Sequence, residues 1–106
     1  MARVVAIVSD LILASRVTTS LGAAGHEVER ASSLPDELDG VDALVADLDA
    51  IEPERVAAAG VPSIGFYQHT DAETKRRADD AGIEIAVPRS RMVRELPQLV
   101  DRLLAH

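Results

Sequence analysis

The chain has 106 residues, of which 47% are hydrophobic and 27% charged, the proportions of an ordinary globular domain. Its 18 acidic and 11 basic residues leave a formal net charge of -7, which repels phosphate backbones and argues against nucleic acid as a partner. With no Cys there is no disulfide, thiolate zinc site or cysteine nucleophile, and no apolar run approaches the ~20 residues of a membrane span.

The bases do not gather into a dense patch: Lys75, Arg76 and Arg77 form one short run, and Arg89, Arg91 and Arg94 are spaced out beyond it. Phe66 and Tyr67 are the only aromatics, so the core is built from Val, Ile, Leu and Ala. The apolar stretch at the N-terminus is interrupted at Asp10, too early for a secretory signal. A single cytoplasmic domain over residues 1–106 is expected, with no membrane partner.

Val4 to Val8 is continuously apolar, as a strand covered on both faces should be. Leu13, Ala14, Val17, Leu21 and Ala24 then recur at helical spacing, and Gly25 stands where a left-handed residue would end the helix. His26 to Ala31 alternates polar and apolar, which suits an exposed edge strand. Ser33 to Leu38 predicts a short helix with a serine cap and early acids. Ala43 to Ala46 is the next buried strand, ending at Asp47. Glu52 to Ala59 predicts a short helix with Pro53 near its start and Gly60 at its end.

Val61 to Tyr67 reads as the fourth strand, with Pro62 at its beginning, where no ladder donor is required. Thr70-Asp71-Ala72-Glu73 has the pattern of a capping box opening a helix that runs to Ala81 and stops at Gly82. Ile83 to Val87 is the last strand. Leu96, Leu99, Val100, Leu103 and Leu104 form the stripe of a final helix, with Pro97 tolerable only in its first turn.

The order is five strands alternating with five helices. Such alternation implies an α/β fold with a doubly wound parallel sheet, helices on both faces and right-handed crossovers. The common strand order for five strands is 2-1-3-4-5, and ligands then sit outside the carboxyl ends of the strands, at the switch between the first and third. Those ends carry Ser9 and Asp10, then Asp47 and Asp49, then Tyr67, His69 and Asp71, then Arg89 and Ser90. Carboxylates, a phenol, an imidazole and a guanidinium converge on one rim.

In the order and spacing of nearly all its elements the chain resembles the receiver domains of two-component signalling, which share the flavodoxin-like arrangement. The resemblance implies that Asp47, ending the third strand, matches the phosphate-accepting aspartate. The other positions depart from the pattern. Where receivers carry a pair of Mg²⁺-binding acids after the first strand, this chain has Ser9 and Asp10. Where a Ser or Thr ends the fourth strand it has Tyr67, bulky enough to crowd a phosphoryl group. Where a Lys-Pro pair ends the fifth it has Arg89 and Ser90, and a planar guanidinium does not reproduce a compact ammonium. The Pro expected four residues past the acceptor is also absent, since Pro53 comes six after Asp47.

The resemblance therefore implies an atypical receiver, or pseudo-receiver, with an altered phosphorelay site. The expected cofactor is none, or a weakly bound Mg²⁺ on Asp10, Asp47 and Asp49. Each residue also has a plainer reading: Asp10 as a helix cap, Asp49 as a solvated loop acid, His69 and Asp71 as polar caps, and Arg89 as a neutraliser of the acidic rim. Rival nucleotide folds lack their motifs here, since there is no glycine-rich phosphate loop and no GxGxxG.

Two functions remain open. One is a stand-alone regulatory module that binds a protein partner, a kinase or a regulatory target, with Tyr67, His69 and Arg89 as switch residues. It is more in keeping with the sequence than an enzyme, because no complete catalytic constellation is visible. The other is a small enzyme or ligand-binding protein using the Asp10, Asp47, His69 and Arg89 rim. A weak homodimer is expected through the face bearing Lys75, Arg76, Asp79, Asp80, Arg91, Arg94, Glu95 and Arg102, where both charge signs are present.

Overall fold

The continuous apolar runs become the central strands. In the computed structural model, which describes residues 2–68 and 72–105, β1 spans Arg3–Ile7, β3 Ala43–Asp47 and β4 Ser63–Tyr67, all almost wholly buried. The polar-apolar alternation of Glu27–Ala31 gives the exposed strand β2, and Ile85–Pro88 gives β5. All four pairings are parallel, and the strand order is β2-β1-β3-β4-β5, as the alternation predicts.

Alternate side chains of each strand feed two cores. Val4, Ala6, Ala43, Val45, Ile64 and Phe66 pack beneath α1 (Leu11–Ala23) and α4 (Arg89–Leu104). Val5, Ile7, Leu44 and Ala46 pack beneath α2 (Pro53–Ala58) and α3 (Ala72–Ala81). The central strands β1, β3 and β4 therefore bury both of their faces, which is why β1 and β3 are apolar without a period of two, whereas the edge strand β2 keeps its alternation. Gly25 and Gly82, at φ of 92° and 93°, end α1 and α3 in the left-handed conformation that costs glycine little.

One predicted helix does not form. Residues 33–38 run as bends and irregular chain between β2 and β3, so the described residues hold four helices rather than five. Pro35 brings no N–H and biases Leu34 away from the helical region, and six residues cannot sustain a helix unaided. Leu34 and Leu38 bury part of their surface against the second core without helical geometry.

The final helix begins earlier than its apolar stripe. It starts at Arg89, directly after β5, and is interrupted at Glu95, whose φ of -121° and ψ of 15° are not helical. Pro97 lacks the N–H that would reach the Val93 carbonyl, so the helix kinks there. Pro97 thus lies in the first turn of the segment carrying Leu99, Val100 and Leu103. Arg89, by contrast, lies in an added turn that the stripe does not reveal.

Candidate functional site

The carboxyl ends of β1, β3, β4 and β5 make the rim. Asp10 follows β1 and caps α1: its Oδ1 accepts from the backbone N–H of Ile12 at 2.9 Å and of Leu13 at 3.1 Å. Its Oδ2 faces Arg89, whose Nη2 lies 3.1 Å away. The Leu13 amide, together with the Arg89 guanidinium and the Ile12 amide, holds the Asp10 carboxyl below its ordinary range. Both oxygens are engaged.

Asp47 closes β3, and Phe66 of β4 is its register partner. Its side chain is half-buried, and Oδ1 accepts the backbone N–H of Asp49 at 2.9 Å. Burial pushes the Asp47 carboxyl up, and the Asp49 charge adds to it, while the Asp49 amide and Arg89 oppose the shift. Asp10 acts in the same direction as burial, but as the smallest of these influences. Desolvation, more than repulsion between the two acids, governs this carboxylate.

Tyr67 ends β4 opposite Pro88 and is only 5% exposed. Its side chain is packed into the structure at the end of that strand. Asp49 is exposed and contributes its backbone, not its carboxylate, to Asp47. His69, Thr70 and Asp71 lie outside the described residues, and with them the switch role of His69 and the capping box.

Two features carry no signal in the linear pattern. Arg30, from the edge strand β2, donates through Nε to the Val8 carbonyl at 3.1 Å and through Nη2 to that of Ser9 at 3.4 Å. It ties down the β1 end from which Asp10 projects; the pairing of Arg30 with Ala6 in the sheet puts it there. Beside the rim, Arg16, Gln68, Arg89, Ser90 and Val93 line a hollow of about 420 Å³ between α1 and α4. Its residues come from three separate parts of the chain, so only the folded sheet assembles them.

Solved structures supply the comparison. The fold overlays a response regulator receiver domain protein from Clostridium thermocellum with a TM-score of 0.84 at 14% identity, covering 99% of this chain and 95% of that one. It is that of a receiver domain. An orphan response regulator of H. pylori matches with a TM-score of 0.81 at 16% identity, over 97% of this chain and 96% of the other. A response regulator from Thermotoga maritima matches with a TM-score of 0.81 at 14% identity, covering 100% and 99%. No protein-family profile matches the sequence, and no curated protein does.

Receiver domains imply Mg²⁺, and the residues present do not fit it. Mg²⁺ asks for octahedral oxygen ligation with carboxylates to spare. Asp10 already caps α1 with one oxygen and pairs with Arg89 through the other, Asp49 is exposed, and Ser9 stands where receivers carry an acid. Among the described residues no group of three or more metal-ligating side chains comes together. The set Asp10, Asp47 and Asp49 does not assemble. The rim instead offers a half-buried carboxylate beside a fixed guanidinium.

Proposed function

We propose that this receiver-fold chain is a regulatory module, cytoplasmic in setting, whose output is binding to a protein partner rather than phosphoryl transfer through Asp47. The observation that carries the reading is the Arg89–Asp10 pair, which puts a side-chain cation where receivers recruit a metal. A phosphoryl group arriving at Asp47 meets no assembled metal site, and the buried Tyr67 fills the end of β4. The match to a regulator described as an orphan is in keeping with this. No helix among the described residues is long and apolar enough to cross a membrane.

The same module self-associates weakly through the face of α3, β5 and α4, where acids and arginines alternate. The decisive experiment is treatment with acetyl phosphate and with beryllofluoride in Mg²⁺, read by intact-mass spectrometry and by amide NMR. The expected result is little or no adduct at Asp47 and no Mg²⁺-dependent rise in Tm. Stoichiometric modification of Asp47 would restore the conventional phosphorelay reading.

A further inference from the structure

The hollow between α1 and α4 is chemically unlike the rest of this acidic surface. Arg16, Gln68, Arg89 and Ser90 bring two guanidinium groups, an amide and a hydroxyl to it, Val93 forms an apolar wall, and no acid lines it among the described residues. On a chain of net charge -7, that is a local reversal of sign. Its volume of about 420 Å³ suits a small organic molecule.

The two arginines are in different states. Arg89 gives Nη2 to Asp10, which engages one part of a fork carrying five N–H donors and leaves others for a second acceptor. Arg16, on α1, has no ion-pair partner among the described residues, so its whole fork is open to a ligand in the hollow. Guanidinium forks bind carboxylate and phosphate oxygens in pairs. Gln68 and Ser90 add neutral polar groups to the same lining.

We propose that this hollow binds a small organic dianion, held between Arg16 and Arg89 with its carbon skeleton against Val93. Its anionic groups are phosphate or carboxylate, both of which a guanidinium fork can hold through paired hydrogen bonds. The site uses neither Asp47 nor phosphoryl transfer, so it goes beyond the reading given above and stands or falls separately. Because Arg89 is shared, occupancy of the hollow is felt at Asp10 and so at the first turn of α1.

The test is an amide NMR titration at constant ionic strength with glycerol 3-phosphate, succinate and inorganic phosphate as separate probes. At least one organic dianion is expected to give saturable shifts concentrated at Arg16, Gln68, Ser90 and Val93, and to bind more tightly than inorganic phosphate. Preference for glycerol 3-phosphate identifies a phosphorylated ligand, and preference for succinate a dicarboxylate. Arg16→Ala should weaken binding at least tenfold, with Arg16→Lys recovering part of it. Arg76→Ala, on the exposed side of α3, should change nothing, and the amide spectrum of each variant reports its folding. The proposal is overturned if none of the probes saturates, if inorganic phosphate binds as well as the organic dianions, or if Arg76→Ala weakens binding as much as Arg16→Ala.

Discussion

Arg89 and Asp10 are 79 positions apart in the chain, yet their guanidinium and carboxylate meet at 3.1 Å across the rim of the sheet. Asp10 thereby performs two tasks with two oxygens, capping α1 with one and pairing with Arg89 through the other. The two can be separated by substitution. Asp10→Ser keeps a capping oxygen and loses the ion pair, so its Tm should fall as little as that of Arg89→Ala. Asp10→Ala loses both and should melt lower than either. Because the folded-state pKa of Asp10 is depressed, its contribution is complete at neutral pH and is lost as pH falls through its titration range. The difference between Asp10→Ala and the unsubstituted protein should therefore shrink in acid. Thermal melts across pH check all of this; equal losses in Asp10→Ser and Asp10→Ala would remove the capping role.

Asp47 is predicted to behave in the opposite way. Burial raises its pKa, so the ionised form is less favourable in the folded chain than in the unfolded one. Stability contributed by the neutral form falls as pH rises through this range, and the deficit persists at neutral pH. Asp47→Asn removes the charge and keeps an oxygen for the Asp49 amide. Its Tm at pH 7 should rise, by a few degrees at most, since in a domain of this size about 1 kcal/mol corresponds to roughly 4 to 8 °C. At pH well below the carboxyl's range the two proteins should melt together. A several-degree drop in Asp47→Asn would make the ionised carboxylate a structural element.

Much of this fold can be read from local pattern. Val4 to Val8 and Ala43 to Ala46 have no polar face to expose, so they must be covered on both sides, and the glycines at 25, 60 and 82 mark where helices stop. The segment from Ser33 to Leu38 misleads because its cap and acids are true helix-start signals, whereas Pro35 and the short length act against them. Asp47 is legible because it directly follows a buried run. The Arg89–Asp10 contact is not, since nothing local to either residue records a partner three strands away. Arg16 reads as one more exposed helix residue until α4 is packed beside it.

Gly65 illustrates a packing constraint that supports the site from behind. A Cβ placed on it would lie 2.6 Å from Leu48 Cδ1 and 2.9 Å from Leu48 Cγ, well inside contact distance. Leu48 is buried, so its side chain has little room to turn aside, and it follows Asp47 directly in the turn that holds the Asp47–Asp49 hydrogen bond. Gly65→Ala should destabilise the protein by about 1 to 3 kcal/mol, the usual cost of overpacking a core. It should also shift the amide resonances of Leu48 and Asp49 more than those of β1. Chemical denaturation and an amide spectrum test both parts, and an unchanged midpoint would show that Leu48 relocates freely.

Self-association is predicted to be weak, and the reason lies in how the charges of the α3, β5 and α4 face are already used. Lys75 pairs with Asp79 within α3, and Arg91 and Arg94 both approach Glu95 within α4. A dimer built from these groups would exchange one exposed pair for another and gain little. Asp80 and Arg102 are different: both are exposed and neither has an ion-pair partner among the described residues. A two-fold contact can bring the Asp80 of each copy to the Arg102 of the other, satisfying both twice. The association should then be concentration-dependent and disappear at high salt, where such pairs are screened. Arg102→Glu should abolish it, and Arg102→Glu combined with Asp80→Arg should restore it, because the exchange preserves complementarity across the axis. Sedimentation velocity over a range of concentration and ionic strength reads the outcome. A strict monomer under all conditions removes the dimer from the proposal, and a salt-resistant dimer moves it to an apolar surface, where the exposed Leu11 and Ile12 of α1 are the first residues to replace.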